Sequence, residues 1–187
     1  FKKAESPYGE TKQICEQMLK EDACQSVSLR YFNPIGSHST SLIGDCSADK
    51  PSNLVPIITE VAIGKRKEIT VFGDNYNTPD GTCIRDYIHV VDLAKSHVKA
   101  MNFLITNPGK HAFNVGTGIG ISVLDAIKAF EQTNKLSINY YIGQRRDGDI
   151  EKIYANNSLV KEKLGWEAKE TLHQAMISAW NWEKKKR

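Results

Sequence analysis

The chain of 187 residues is 40% hydrophobic and 25% charged, so it can bury a hydrophobic core and does not have the composition of a disordered protein. Its 25 lysines and arginines stand against 22 acidic residues, and the net charge of +3 excludes the concentrated basic surface of a dedicated nucleic-acid-binding protein. Since no apolar stretch approaches about 18 residues and no secretory signal opens the chain, the sequence predicts no membrane span and a cytoplasmic location.

The first predicted element is a helix. Apolar residues at helical spacing predict it over residues 8–22, and strand-forming side chains predict a strand over 26–32. Proline has no backbone N–H, so Pro34 is expected to end the pairing of that strand. Small and polar residues then predict a long loop over 36–52, and loops of this length in compact domains are usually functional or mobile.

The remaining predicted elements alternate between helices and strands. In chain order they are a helix from about Asn53, a strand at 68–72, a loop at 73–82, a strand at 86–91, a helix at 93–104, a strand at 112–115, a helix capped by Ser122 and ending near Phe130, a strand at 137–142, and helices at 158–164 and 172–182. This alternation predicts an α/β fold with parallel strand pairs, and the long loops indicate a smaller substrate-binding lobe.

The spacing of the cysteines predicts neither a zinc site nor a redox pair. They include no CxxC pair and have no histidine at a zinc-ligand spacing. All four are therefore expected to be reduced thiols: Cys15, Cys24, Cys46 and Cys83.

A tyrosine and a lysine stand four residues apart at the start of the first predicted helix. Tyr8 and Lys12 therefore project from one face. Free tyrosine deprotonates only near pH ~10, so a general base at neutral pH requires about 4 kcal/mol of preferential stabilisation of the phenolate. A neighbouring ammonium supplies stabilisation of the right sign. Taken alone, the pattern also fits an aromatic residue at a helix start and a surface lysine.

Six ordered segments carry a family resemblance that favours the catalytic interpretation. They are SPYGETK, LRYFNPIG, SNLVP, DGTCIRDYIHVVDLA, FNVGTGIGISVLD and RRDGDI. In order and spacing they resemble the UDP-galactose 4-epimerase (UDP-glucose 4-epimerase) family, within the extended short-chain dehydrogenase/reductase group, over nearly all of the chain. The resemblance covers the C-terminal half of such a protein.

The resemblance implies an architecture as well as an activity. The fold would be α/β: the C-terminal part of a Rossmann-type doubly wound sheet plus a smaller α/β nucleotide-sugar-binding lobe. Residues 1–36 would end the NAD-binding domain, and residues 37–187 would form mainly the lobe. Two segments, 84–105 and 112–130, would pack back on the Rossmann sheet.

By this resemblance, the first helix and the following strand carry the catalytic and cofactor-binding residues. Tyr8 is the catalytic base and acid, while Lys12 holds the nicotinamide ribose of NAD and stabilises the phenolate. Tyr31 and Pro34 match positions against the nicotinamide end of the cofactor. Asn33 matches a ligand of the nucleotide sugar, for which an amide can both donate and accept.

The resemblance also implies a binding site for the nucleotide. Asn53 and Leu54 match a substrate-contacting pair, with Asn53 near the diphosphate, and Phe72 matches a residue beside the uracil. Forked guanidinium donors are well matched to two phosphates, which makes Arg85 and Arg146 the candidates to bind them. Without the matching segments, either arginine would be interpreted as a solvated or ion-paired side chain.

Two further positions complete this set. Asp149 matches a residue that accepts hydrogen bonds from the uridine ribose hydroxyls. Ile153 matches a residue facing the sugar's N-acyl side, where side-chain size influences acceptance of N-acetylated hexoses. A branched aliphatic residue is intermediate in size, so the substrate range stays open.

Two other patterns imitate functional sites. The segment Gly116–Gly120 follows a predicted strand but reads GxGxG, without an acid about ~20 residues on, so it is interpreted as a tight turn rather than a dinucleotide fingerprint. His89, Asp92 and His97 could be imagined as a metal cluster, but structural hydrogen bonding is the favoured interpretation and no metal site is predicted.

The implied reaction of the intact protein is NAD-dependent 4-epimerisation of UDP-galactose and UDP-glucose through a 4-keto intermediate. Such a protein needs a Gly-rich turn for the NAD pyrophosphate and a Ser or Thr that acts beside the tyrosine, and neither can be located in this chain. The chain opens at Phe1 without an initiator methionine, which suggests a fragment or a processed chain. The expected partners are a UDP-hexose, the missing N-terminal half and, when intact, a second copy in a homodimer. Open alternatives are a related nucleotide-sugar dehydratase or decarboxylase, or a non-catalytic nucleotide-sugar-binding fragment. The chain alone is expected to be inactive.

Overall fold

A computed structural model describes residues 7–46 and 51–186. Within these residues the helices are α1 (Pro7–Glu21), α2 (Leu54–Ala62), α3 (Val90–Thr106), α4 (Val123–Asn134), α5 (Ser158–Leu164) and α6 (Leu172–Lys185). The strands are β1 (Ser26–Tyr31), β2 (Asn33–Ile35), β3 (Ile69–Phe72), β4 (Ile84–Arg85), β5 (Tyr87–His89), β6 (Lys110–Val115), β7 (Ile121–Ser122), β8 (Tyr140–Gly143) and β9 (Lys152–Ile153). Part of the predicted 36–52 loop, residues 47–50, lies outside the described residues, as do Phe1 and the rest of residues 1–6.

Parallel pairing dominates the described sheets. β1 pairs with β6 in a register that runs from Ser26 opposite Lys110 to Tyr31 opposite Val115. The pairs β2–β5, β3–β8 and β4–β9 are also parallel, while β4 and β7 are antiparallel. Parallel strands require long crossover connections, which the intervening helices supply. The α/β prediction is confirmed.

Two hydrophobic clusters hold these elements together. The larger joins α2, β3, α4 and α6 around the fully buried Phe130, whose ring meets the Trp180 ring edge to face at 6.0 Å between centroids. The smaller lies beneath β5 and β6 and includes Ile88, Val115 and Val160. Complete burial of a side chain of this size contributes about 1.5–3 kcal/mol, so these clusters fix how the helices sit on the strands.

The pairing of β1 ends at Tyr31, so it stops before Pro34 as predicted, but a new strand that was not predicted begins there. After Phe32, residues Asn33–Ile35 form β2, which pairs with Tyr87–His89 in a different sheet. Proline removes one donor, and a strand paired along one side tolerates that loss. The chain therefore passes from the β1 sheet to the β2 sheet across a single residue.

Several other boundaries differ from the predicted ones. The strand predicted at 86–91 stops at His89, because the His89 side chain accepts a hydrogen bond from the Val91 backbone N–H (3.1 Å) and starts α3 at Val90. The strand predicted at 137–142 begins only at Tyr140. The two-residue strands β4, β7 and β9 were not predicted as such, since two residues carry no readable periodicity.

Within residues 7–46 and 51–186, no helix combines the length and the hydrophobicity that a transmembrane helix requires.

A capping box begins α6 and provides a test of helix stability. The Thr171 hydroxyl accepts from the Gln174 backbone N–H at 3.2 Å, and the Gln174 side-chain oxygen accepts from the Thr171 N–H at 2.7 Å. Thr171→Ala removes the first of these bonds, and we expect urea denaturation to show a loss of about 1 kcal/mol in the free energy of unfolding. The matched control is Thr106→Ala, at a helix end, with a change below about 0.5 kcal/mol. Equal losses in the two variants would contradict the capping argument.

Candidate functional site

The predicted catalytic pair lies at the start of α1. The Lys12 ammonium is 5.1 Å from the centre of the Tyr8 ring, so the two side chains share a face as their spacing predicts. Tyr8 is 72% exposed, and α1 contains no buried residue. The phenol and the ammonium therefore meet on an open surface, where a ligand can reach both.

The other end of α1 is firmly attached to the sheet. The Arg30 guanidinium on β1 donates to both carboxylate oxygens of Glu16 at 2.6 and 2.5 Å, and this contact holds the pKa of Glu16 below its usual value. From β6, the Lys110 ammonium donates to the carbonyls of Leu19 (2.6 Å) and Asp22 (2.7 Å). A cation at a helix C-terminus satisfies carbonyls that have no partner within the helix. The sheet thus fixes α1 at the end away from Tyr8.

The end of β1 leads directly to the second part of the site. Tyr31, the last residue of β1, is 52% exposed, and Pro34 is also exposed. The Asn33 backbone N–H donates to the carbonyl of Asp86 at 3.0 Å, which places Asn33 beside the residue that follows Arg85. In open α/β sheets ligands bind at the carboxyl ends of the strands, and Tyr31 lies at such an end, with Asn33 and Pro34 just beyond it in the chain.

On β4, Arg85 is held by the segment that precedes β9. Its guanidinium donates to the Ile150 carbonyl at 2.6 Å and lies 3.5 Å from an Asp149 carboxylate oxygen. Ile153 stands opposite Arg85 in the strand register and is 38% exposed. The structure therefore brings Arg85 together with Asp149 and Ile153, which lie far later in the sequence.

Arg146 is held differently. Its guanidinium carbon lies 3.7 Å from the centre of the Phe72 ring. Across residues 7–46 and 51–186, no protein hydrogen bond or ion pair engages this guanidinium. Its donors are available to an anion, while the aromatic face orients the group.

Asn53 and Leu54 stand at the N-terminus of α2, which packs against β3, the strand that ends at Phe72. Asn53 is the N-cap residue, but its side chain makes no capping hydrogen bond, and Leu54 packs against the larger cluster. A helix N-terminus presents unpaired backbone N–H groups, which favour an anion such as a phosphate.

A buried carboxylate that sequence reasoning missed organises the Gly-rich turn. Asp86 is fully buried and accepts hydrogen bonds from the backbone N–H groups of Thr117 (2.9 Å), Gly118 (2.9 Å) and Ala155 (3.1 Å). Gly118 has φ +77°, a conformation that favours glycine. The segment is the predicted tight turn. In the sequence, the only indication of the role of Asp86 is that this aspartate is flanked by strand-forming residues.

The exposed groups around Tyr8 and the hydrogen bonds of Asp86 indicate which part of NAD the described residues could bind. Tyr8, Lys12 and Tyr31 offer exposed aromatic and cationic groups suited to a nicotinamide riboside. The Thr117 and Gly118 amides cannot seat a pyrophosphate, because the Asp86 carboxylate already occupies them. The fit is therefore to the nicotinamide end of the cofactor.

The two histidines and the aspartate considered as a metal cluster make structural hydrogen bonds. His97 meets the Leu93 carbonyl at 2.9 Å, and Asp92 accepts from the N–H groups of Lys169 and Glu170 at 2.7 Å. His89 caps α3 and lies 3.2 Å from the Ser178 hydroxyl. In the part of the chain that the structure describes, no group of three possible ligands could hold a metal ion.

The buried His89 predicts a pH dependence of stability. Burial is the main cause of the lowered pKa of His89. The carboxylates of Glu170 and Asp92 raise this pKa by a smaller amount, and the Lys95 ammonium lowers it further. Histidine in the unfolded chain has a pKa of about 6.5, so it takes up a proton at a pH at which the folded residue is still neutral. The stability that the neutral His89 contributes is therefore fully present above pH ~6.5. It is lost as the pH falls from there to the lower pKa of the folded residue. Urea denaturation at pH 7.5 and 5 should show a smaller acid-induced loss for His89→Gln than for the wild-type protein. The control is the exposed His173→Gln, which should retain the wild-type dependence, and an unchanged dependence in His89→Gln would refute this assignment.

Comparisons with known proteins indicate the family of the chain. The family model described as GDP-mannose 4,6 dehydratase matches residues 2–178. The UDP-glucose 4-epimerase of Haemophilus influenzae is 47% identical over 184 residues, which cover 96% of this chain and 54% of that protein. That of Pasteurella multocida is 48% identical over 185 residues, with 96% and 55% covered. The chain spans about half the length of the curated relatives it matches.

Solved structures show the same likeness. A UDP-glucose 4-epimerase from Stenotrophomonas maltophila with bound NAD and formylated UDP-arabinopyranose matches with a TM-score of 0.93 at 44% identity, covering 97% of this chain and 55% of that one. The enzyme from Bifidobacterium longum in complex with NAD+ and UDP matches with a TM-score of 0.89 at 45% identity, covering 96% and 55%. The Rossmann-type fold implied by the motifs is thereby confirmed.

Proposed function

Since the chain belongs to the GDP-mannose 4,6 dehydratase family and is similar over nearly its whole length to UDP-glucose 4-epimerases, we propose that it is the C-terminal half of an NAD-dependent UDP-glucose 4-epimerase. The observation that carries the proposal is the Tyr8–Lys12 pair on an open helix face.

Tyr8 serves as base and acid in this proposal. As a phenolate it accepts the proton of the sugar 4-hydroxyl and later returns it, while the Lys12 ammonium stabilises the negative charge. NAD, when bound, would accept hydride from that carbon and return it to the opposite face, so the configuration of the carbon would be inverted without net oxidation. Tyr31 and Pro34 line the nicotinamide side, and Asn33 contacts the sugar.

The nucleotide is held at the other part of the site. Arg146 and Arg85 bind the diphosphate, with the α2 N-terminus at Asn53 and Leu54 beside it. Phe72 lies against the uracil, and Asp149 accepts from the ribose hydroxyls. Support comes from two contacts, that of Arg146 with the Phe72 ring and that of Arg85 with Asp149. Because binding energy at the nucleotide holds the substrate, the sugar can turn within the pocket. Ile153 lies toward the sugar's variable side.

The proposal extends to partners, domains and compartment. The exposed apolar residues of α1, Ile14 and Met18, favour a packing partner, for which we propose the N-terminal half and, in the intact protein, a second copy in a homodimer. Residues 1–36 then complete the NAD-binding domain, and residues 37–187 form mainly the lobe, with 84–105 and 112–130 packing on the Rossmann sheet. Free thiols at the four cysteines support a cytoplasmic location.

A direct assay tests the function. The full-length protein is incubated with NAD and UDP-galactose, and separately with UDP-glucose, while both sugars are followed by NMR. We expect the same equilibrium mixture from both directions without accumulation of reduced cofactor, and no turnover by the 187-residue chain alone. Release of a dehydrated sugar would instead favour a dehydratase, and the absence of any reaction would refute an enzymatic role.

A further inference from the structure

Two adjacent arginines are each stacked on an aromatic ring, but only one is engaged in hydrogen bonds. The Arg145 guanidinium carbon lies 3.9 Å from the centre of the Tyr76 ring, and Arg146 stacks in the same way on Phe72. Arg145 donates from Nε to the side-chain oxygen of Asn75 at 2.6 Å and from Nη2 to the Asn75 carbonyl. The loop after β3 thus holds Arg145 by a fork and a stack, whereas Arg146 keeps its donors available.

The contact around Arg145 is closely packed. Gly73 has φ +85°, and a Cβ at this position would lie 2.7 Å from Arg145 Cγ and 2.9 Å from the Tyr76 ring. Tyr76 is only 7% exposed, and burial raises its pKa to about 12, so the ring stays neutral beneath the arginine. The Gly73 N–H donates to the Gly143 carbonyl at 3.0 Å. These contacts hold residues 143–145 against residues 73–76.

A second attachment lies six residues farther along. The Glu151 carbonyl accepts from the Ile84 N–H at 2.9 Å, and the Glu151 carboxylate accepts from the Asn77 N–H at 2.9 Å. The intervening residues 146–150 therefore run between two attachment points, and Arg85 contacts Asp149 and Ile150 near the second of them. They include both Arg146 and Asp149, the residues assigned to the diphosphate and the ribose.

We propose that Arg145 is a positioning residue for nucleotide binding: its fork on Asn75 and its stack on Tyr76 clamp one end of the 146–150 segment and so place Arg146 and Asp149 for the ligand. This inference rests on the proposed function. An unclamped segment must be ordered when the ligand binds, at a cost in affinity for each backbone residue fixed. Lysine keeps the charge but has neither the planar fork nor the stacking face, so it cannot replace this arginine.

Amide hydrogen exchange tests the clamp in the ligand-free, full-length protein. We expect exchange of two hydrogen-bonded amides beside the clamp to be faster by about tenfold or more in both Arg145→Ala and Arg145→Lys, because one attachment of the segment is lost: the Asp149 N–H, which donates to the Arg146 carbonyl, and the Gly73 N–H, which donates to the Gly143 carbonyl. The control for the loss of a positive charge is Arg66→Ala, because the Arg66 guanidinium pairs with Glu60 away from this segment. The Arg66→Ala protein should show the same amide exchange as the wild-type protein. Unchanged exchange in both Arg145 variants overturns the clamp, whatever the protein binds.

Ligand affinity tests the consequence. Calorimetry with UDP should show a dissociation constant raised about five- to tenfold in both Arg145 variants, with a parallel rise in KM for UDP-galactose and kcat within about twofold. Asn75→Ala, which removes one acceptor and leaves the carbonyl, should give a smaller rise. Wild-type affinity in Arg145→Lys would show that charge alone matters and would overturn the proposal. Failure of the wild-type protein to bind UDP would refute the proposed function instead, and the exchange result would still stand.

Discussion

Tyr8→Phe in the full-length protein is expected to lower kcat for interconversion of UDP-galactose and UDP-glucose by about a thousandfold, with KM little changed. The substitution keeps the ring and its contact with Lys12 and removes only the group that moves the proton. General acid–base catalysis typically contributes about 10²–10⁴ in rate. Steady-state kinetics in both directions measures the effect.

The matched control is Tyr140→Phe, on β8, which removes an exposed phenol that has no place in the proposed site. It should retain wild-type kcat and KM. Activity of Tyr8→Phe close to the wild-type level, or an equal loss in the two variants, would remove Tyr8 from the catalytic role.

Arg146→Ala is expected to weaken UDP binding and raise KM by about ten- to a hundredfold, with a much smaller effect on kcat. Hydrogen bonds to a charged group contribute about 1.5–3 kcal/mol each, which corresponds to this range. Because the only described protein contact of the guanidinium is the Phe72 ring, we expect the free energy of unfolding to change by no more than about 1 kcal/mol. Calorimetry with UDP and urea denaturation measure the two quantities.

Arg66→Ala again serves as the control for the loss of a positive charge. This substitution should leave UDP affinity unchanged, because the Arg66 guanidinium pairs with Glu60 rather than with a ligand. Unaltered UDP affinity in Arg146→Ala would mean that the stack on Phe72 is only structural.

Local patterns predict the elements whose causes are local. The helix expected at 158–164 is observed as Ser158–Leu164, and α1 differs from the predicted 8–22 by one residue at each end. The Tyr8–Lys12 contact likewise follows from a four-residue spacing on one helix. Each of these features depends on interactions within one or two turns.

Features that depend on partners far along the chain were missed. β2 exists because it pairs with residues more than fifty positions later, and the local signal of Pro34, which marks the end of β1, does not reveal it. The carboxylate of Asp86 and the fork of Arg145 are recognisable only once their partners at 117–118 and 75 are known. The family resemblance supplied the candidate set around Arg85 and Arg146, while the contacts that hold this set in place came from the structure.

We propose that Tyr8 and the two arginines act on one bound UDP-hexose. A crystal structure of the full-length protein with NAD and UDP-galactose tests it most directly, through the distance from the Tyr8 hydroxyl to the sugar 4-oxygen. We expect a distance of about 2.6–3.2 Å, with the diphosphate held by Arg85 and Arg146. A nucleotide bound away from these arginines, or a Tyr8 hydroxyl that faces a different surface from the sugar, would contradict it.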